Sequence, residues 1–397
     1  MKHERRMNEA RDRNRRLLGD LYRAALAGVD PRRCVEETLA RREIARALGR
    51  AVPRGGRVGV FAVGKAAAGM LAGTNGRFGR ALAVLPRGYP PPPPSSRNGP
   101  EVLYAAHPEP DRSSVAAAQR AREFFASFGP RDVILCLVSG GTSSLLCLPR
   151  PGLTLDEKRR RVARLAARGA GILEINRLRT SLSAVKGGRL GRATPARLVT
   201  LVLSDVPGDR PSSVGSGPTI RGGRGDLVRV VASNRIGLEA AAKRARARGL
   251  SPRIAARRLT GEAREAGASF ARSAARLRPG QVLLAGGETT VALSNRRARG
   301  GRGGRCLELA LGAARVLESA PIAALLAAGS DGRDGSSDAA GAFADARTLG
   351  RARAFGLDPA AALERHDTHA FFEALGDLFV TGPTGGNVAD WAFAVRL

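Results

Sequence analysis

The chain has 397 residues, 43% of them apolar and 25% charged, with 66 Lys+Arg against 35 Asp+Glu and a formal net charge of +31. This composition excludes a disordered, collagen-like or disulfide-scaffold protein, and the length predicts two or three domains with a sizeable core. No apolar run approaches the roughly 18–20 residues that a membrane span requires, so the expected protein has no membrane partner.

In chain order, the basic, polar start from Met1 to Arg16 lacks the apolar stretch of a secretory signal. It reads as an amphipathic helix or a frayed terminus. Short continuous apolar runs follow: Arg57–Val63 before Gly64-Lys65, Val133–Val138 before Ser139-Gly140-Gly141, and Val199–Leu203 before Ser204-Asp205. Val282–Ala285 before Gly286-Gly287-Glu288 and Ile322–Ala328 before Gly329-Ser330-Asp331 continue the series. Runs of this length without alternation predict strands buried on both faces of a parallel sheet. Helical spacing at Asp156–Arg168 and Ile236–Arg248 separates them. Strand and helix in alternation give an α/β fold, in which ligands bind outside the carboxyl ends of the strands. Those ends hold the Gly, Ser, Asp, Glu and Lys residues of this chain. Breaks are expected at the proline-rich stretch Tyr89–Pro100, a stiff surface spacer, and near Gly222–Gly225.

Only five of the basic residues are lysine (Lys2, Lys65, Lys158, Lys186 and Lys243), leaving 61 arginines. The arginines are scattered, and aromatics that could stack on bases do not interleave with them, which disfavours nucleic acid as the main partner. The four cysteines, Cys34, Cys136, Cys147 and Cys306, form no Cys-x-x-Cys pair. Reduced, buried thiols and a cytoplasmic location are expected. Phosphate-loop, dinucleotide-turn, nucleophile-elbow and zinc-protease motifs are all absent. Histidine chemistry is disfavoured; His107 reads best as a satisfied loop histidine.

The Gly-rich strand ends remain. Ser139-Gly140-Gly141-Thr142-Ser143-Ser144 can present backbone N–H groups and hydroxyls to a phosphate. Lys186-Gly187-Gly188 adds a point charge, and Gly286-Gly287-Glu288 a carboxylate. Asp331-Gly332-Arg333-Asp334 offers two carboxylates of the kind that hold Mg²⁺. Thr381–Asn387 is a further polar turn.

In this order, Gly64-Lys65-Ala66, His107-Pro108-Glu109-Pro110-Asp111, Ser139-Gly140-Gly141, Leu182–Gly188, Ser204–Asp209, Ser216-Gly217-Pro218-Thr219 and Gly286–Thr290 resemble class II glycerate kinases. Gly301–Arg305, Ser330–Gly335, Asp338–Ala342 and Thr381–Asn387 resemble the MOFRL domain of that family. The resemblance implies an α/β protein of two domains, each a mostly parallel sheet flanked by helices, with a cleft between them. The boundary is expected at 1–235 and 236–397. It further implies ATP- and Mg²⁺-dependent phosphorylation of D-glycerate, or a related small hydroxy-acid, to 2-phosphoglycerate.

Within that frame, Lys65, Asp205 and Arg305 are the expected catalytic residues. Lys65 and Arg305 neutralise the transferred group, and Asp205 orients or deprotonates the acceptor hydroxyl. Arg179, Ser183 and Lys186 are expected to bind the acid. Ser139, Gly140, Gly141, Gly187, Gly188, Gly286, Gly287 and Glu288 are expected to bind the nucleotide, and Asp331 and Asp334 the metal. The alternatives are an N-cap at Asp205, an Arg305–Glu308 helix pair and a self-stabilised turn at Asp331. The chain departs from the family pattern at Thr180-Ser181, where members carry Lys-His, and at Cys306-Leu307, where they carry Asn-Gln. These departures keep open a relative that binds nucleotide or acid without turnover, as a sensor or partner subunit. A homodimer is left open as an assembly.

Overall fold

The computed structural model describes residues 2–49, 55–93, 99–169, 172–223, 225–292, 301–319 and 324–397. The chain forms two compact units, Asp30–Ser233 and a second made of Met1–Val29 with Asn234–Leu397. It opens with α1 (Lys2–Gly28), which belongs to the second unit. The first unit runs α2 (Pro31–Leu39), α3 (Arg42–Gly49), β1 (Val58–Val63), α4 (Ala67–Ala72), β2 (Arg80–Pro86), β3 (Glu101–Ala105), α5 (Arg112–Ala126), β4 (Val133–Val138), α6 (Thr142–Leu145), α7 (Leu155–Ala167), α8 (Ile172–Ser181), β5 (Arg197–Leu203) and β6 (Leu227–Ala232). The second continues with α9 (Asn234–Ala247), β7 (Ser251–Ile254), α10 (Ala263–Ala274), β8 (Gln281–Gly287), α11 (Arg305–Leu317), β9 (Ala324–Gly329), β10 (Gly341–Ala344), α12 (Thr348–Ala354), α13 (Pro359–Glu364), α14 (Thr368–Ala374), β11 (Leu378–Phe379) and β12 (Asp390–Arg396).

In the first unit six parallel strands lie in the order β3-β2-β1-β4-β5-β6. The apolar runs of β1 and β4 are buried because both faces are covered, as parallel crossovers require. The strand order reverses between β1 and β4, where open α/β sheets bind their ligands. Helices start where the sequence caps them: Asp111 and Ser114 form a capping box at α5, and Thr154 and Glu157 form one at α7. Phe61, Phe124, Phe125 and Phe128 pack as one aromatic cluster in this core.

The second sheet, in the order β11-β10-β9-β12-β8-β7, corrects one expectation. Only β7 and β8 pair in parallel; β8–β12, β12–β9, β9–β10 and β10–β11 are antiparallel. The sequence reading missed β12 because its Asp-Trp-Ala-Phe-Ala-Val run has no Gly-rich exit, and that strand occupies the sheet centre. Gly267 of α10 and Gly312 of α11 let those helices touch backbone to backbone: a Cβ on either would lie 2.0–2.1 Å from a carbonyl of its neighbour.

The first 29 residues also depart from the expected boundary of 1–235. Helix α1 lays Leu18, Leu21, Tyr22 and Ala25, all without exposed surface, into the core of the second unit. Arg11, Arg15 and Arg351 surround the fully buried carboxylate of Asp377. Tyr22 stands edge-on to Trp391 and Phe379 and donates its hydroxyl to the Gly329 carbonyl at 2.6 Å. The expected strand at Ile322 is described from Ala324 onward. Residues 94–98 of the proline-rich stretch and Arg224 of the Gly222–Gly225 break lie outside the described residues. No described helix is long and apolar enough to cross a membrane, and all four cysteines are buried and form no disulfide.

The packing of α1 yields a stability prediction. Tyr22→Phe should cost about 1–2 kcal/mol by removing a buried donor, and Tyr22→Ala about 3–5 kcal/mol by opening a cavity. Urea unfolding monitored in the second unit measures both; an unchanged midpoint for Tyr22→Ala would show that α1 does not hold this core.

Candidate functional site

The loop after β1 and the loop after β4 cross in backbone contact. Ser139 N donates to Val63 O at 3.0 Å, Lys65 N to Gly140 O at 2.9 Å, and Ala66 N to the Ser139 hydroxyl at 3.1 Å. The Thr142 hydroxyl donates to Ser139 O at 2.7 Å. Gly64, at φ 117°, lies so close that a Cβ there would fall 2.2 Å from Ser139 Oγ. A Cβ on Gly140 would fall 1.9 Å from the Asp205 carboxylate, which leaves β5 beside β4. Gly141, at φ 85°, has the Lys65 stem and the His107 ring over its Cα, each 3.2 Å from where a Cβ would stand. Lys65, His107 and Asp205 therefore converge on Gly140-Gly141. Burial and the charge of Lys65 push His107 down to about 4, so the ring is neutral near pH 7.

Beyond Gly141 opens a cavity of about 670 Å³, lined by Gly141, Ser143, Cys147, Lys158, Arg179 and Lys186 among others. Lys186 Nζ donates to the Ser143 hydroxyl at 2.6 Å. Burial, reinforced by the charge of Lys158, pushes the buried Lys186 ammonium down to about 7. The cavity can therefore hold an oxyanion against two lysines and an arginine.

Several expected ligand contacts become structural. The Ser183 hydroxyl is fully buried and accepts Val185 N and Lys186 N, shaping the turn that delivers Lys186. The Ser139 hydroxyl is occupied by Ala66 N and Val63 O. Gly187 N and Gly188 N donate to Ser216 O and Gly217 O, so these N–H groups are spent inside the protein. Gly286 and Gly287 serve close packing: Cβ atoms there would fall 1.8 Å from Asn234 and 2.1 Å from Leu259. The departures from the family pattern do not reach the cavity. Thr180 packs its methyl on Gly187, Ser181 is exposed and donates to Leu178 O, and Cys306 and Leu307 are buried in the second core.

The second unit has its own charged cluster. Arg305, first residue of α11, grips Asp390 with Nε and Nη2 at 3.0 and 3.1 Å and donates Nη1 to Glu288 at 2.8 Å. This replaces the alternative Arg305–Glu308 pair, since Glu308 instead meets His366 at 2.6 Å. Burial opposes the Arg305 charge, but Asp390 and Glu288 outweigh it and raise its pKa. Asp334 accepts Cys306 N and Leu307 N at 3.0 and 2.8 Å, capping α11 across the chain. Both Asp334 oxygens thus serve the N-terminus of α11. Asp331, half-buried, accepts Arg333 N at 3.2 Å, and among the described residues no group of three His, Cys, Asp or Glu could hold a metal ion. Among the described residues the Asp331–Asp334 turn is therefore not a preformed three-ligand metal cage.

Lys158 and Asp390 were missed. Lys158 had a signal, being one of five lysines in a chain with 61 arginines. Asp390 had a weaker one, as a lone acid opening the last apolar run.

A family model described as a domain of unknown function (DUF4147) matches residues 17–246, and the MOFRL family matches residues 281–390. The chain is 39% identical over 422 residues to a protein of Agrobacterium vitis named "Putative hydroxypyruvate reductase", covering 95% of this chain and 93% of that one. It is 33% identical over 423 residues to the D-glycerate 2-kinase of Thermotoga maritima, covering 95% and 97%. The crystal structure of a Thermotoga maritima glycerate kinase superposes with a TM-score of 0.83 at 31% identity, over 96% of this chain and 99% of that one. Sequence and fold agree over nearly the whole length, and the chain belongs to the glycerate kinase family with a MOFRL domain.

Proposed function

We propose that the protein transfers the γ-phosphoryl group of ATP to the 2-hydroxyl of D-glycerate, releasing ADP and 2-phosphoglycerate. The observation that carries this reading is the cavity where Lys186 and Arg179 meet beside Gly141, with Lys65 over the same glycine. A planar Arg179 fork suits a carboxylate. Phosphoryl transfer needs positioning and charge neutralisation more than covalent chemistry. Lys65 answers that need at the β1–β4 crossing. Arg305, preset by Asp390 and Glu288, has a guanidinium suited to a phosphate oxygen. The acceptor oxygen bonds to the γ-phosphorus, the bond from phosphorus to the ADP oxygen breaks, and the hydroxyl proton passes to Asp205. No metal-holding step is assigned to the Asp331–Asp334 turn. The hydroxypyruvate reductase name of one relative finds no support in a dinucleotide turn, which this sequence lacks. Four buried thiols fit a reducing compartment, which we take to be the cytoplasm.

Three measurements test the reading. Coupled detection of ADP should show turnover that requires D-glycerate, and Lys65→Ala should lower kcat by about 10²–10³; nucleotide binding without glycerate-dependent ADP would overturn the reading. Gly140→Ala should displace Asp205 and lower kcat at least about tenfold, whereas wild-type kcat would remove Asp205 from the chemistry. Lys186 supplies the third. Its ammonium, already depressed to about 7, is lost as pH rises. Binding of the acid should then weaken by up to about tenfold per pH unit above 7, with proton uptake. A KM for D-glycerate that stays flat from pH 7 to 9 would contradict this.

A further inference from the structure

Helix α7 is built backwards. Its sequence, Leu-Asp-Glu-Lys-Arg-Arg-Arg-Val-Ala-Arg-Leu-Ala-Ala, would be expected to bury Leu155, Val162 or Leu165, yet its one buried residue is Lys158, at 3% exposure. Lys158 lines the cavity with Lys186 and Arg179, and among the described residues its Nζ meets no oxygen or nitrogen partner. The Cys147 thiol is its polar neighbour, while Arg179 adds like charge. Arg159 and Arg160 also line the cavity; Glu109, the one acid among its described lining residues, is committed to Arg159 at 2.9 Å. A buried ammonium with no carboxylate and only a thiol beside it opposes folding. The chain nevertheless places one here beside a second.

The distribution of lysine adds an independent observation. Arginine outnumbers lysine by 61 to 5, and three of the five lysines, Lys65, Lys158 and Lys186, gather at Gly141 and this cavity. An ammonium is a compact point charge on a flexible stem, whereas a guanidinium is a broad planar fork. Retaining lysine where arginine is the habit fits a seat in which small, close charges converge on a single oxyanion.

We infer that Lys158 is a binding residue for one of the reactants: with Lys186 and the Ser143 hydroxyl it forms a seat for an oxyanion, the carboxylate of the acceptor acid or a phosphate of the donor. The inference rests on the proposed kinase reading for the names of the two sources, but not for the seat itself. Lys158 touches the ligand's charged end and holds it; no proton transfer is assigned to it.

Lys158→Met keeps the length and removes the charge, and it is expected to melt at or above the wild-type temperature because an unpaired buried charge is lost. Steady-state kinetics should then show the KM of one reactant raised tenfold or more. A rise for D-glycerate alone assigns the seat to the carboxylate; a rise for ATP alone assigns it to the donor phosphate. Lys158→Arg should recover part of the loss. Both KM values unchanged, or a lower melting temperature with no change in KM, would make Lys158 a structural residue and overturn the inference. Should the wild-type protein turn over no glycerate, calorimetric titration with inorganic phosphate still decides the matter. Weaker binding to Lys158→Met than to wild type upholds the seat while the kinase reading fails; equal binding overturns the seat.

Discussion

The carboxyl end of the first unit's sheet depends on two loops crossing without side chains between them. The strand order of the parallel sheet reverses between β1 and β4, so their following loops leave in divergent directions and must first pass each other. At that crossing Gly64 and Gly140 have no room for a Cβ, Ser139 hydrogen-bonds to both sides, and Asp205 fills the space against Gly140. The consequence is positional. Lys65 stands over Gly141 because its own backbone N–H is held by Gly140 O. A rigid backbone crossing is a better platform for a catalytic charge than a mobile loop, because preorganised charge costs no reorganisation during transfer.

Charge is handled in two ways. On the surface, pairs such as Arg32–Glu36 and Arg235–Glu239 are exposed one-turn contacts worth little each. In the interiors, charges are fixed or left wanting. Asp390 and Glu288 fix Arg305, and Asp377 gathers Arg11, Arg15 and Arg351 to hold α1 to the second unit. Among the described residues Lys158 and Lys186 have no carboxylate partner, as suits a place kept for an anionic ligand. The +31 surplus therefore bears on function less as a field for a large polyanion than through a few buried cations, chiefly lysines.

The parallel sheet was legible because β1 and β4 are apolar throughout, β5 is so apart from Arg197 and Thr200, and all three run into Gly or Ser, a pattern that buried parallel strands impose. The second sheet was legible in part. Strand β12 carries Asp390 at its start and pairs with both β8 and β9, yet no Gly-rich exit marks it. At the site, residue type picked out Lys65, Lys186, Arg179 and Arg305, of which Lys186 and Arg179 line one cavity and Arg305 pairs with Asp390 and Glu288. It misjudged the glycines and small hydroxyls. Ser139, Ser183, Gly187, Gly188, Gly286 and Gly287 look like a phosphate cradle in one dimension, but their donors and contacts are consumed by turns and close packing. Asp334 shows a related point: a carboxylate near a Gly turn serves a helix N-terminus as readily as a metal, and here it accepts the α11 N–H groups of Cys306 and Leu307. Long-range backbone partners of this kind leave no local trace in sequence.

The central claim is that the first unit's cavity, floored by lysines and bounded by the Gly140-Gly141 crossing, receives the acid. A crystal structure of the protein soaked with D-glycerate tests it most directly. The account predicts the carboxylate within hydrogen-bond distance of Lys186 or Arg179, with the 2-hydroxyl turned toward Lys65 and Asp205. Glycerate ordered elsewhere, with this cavity holding only solvent, would contradict it.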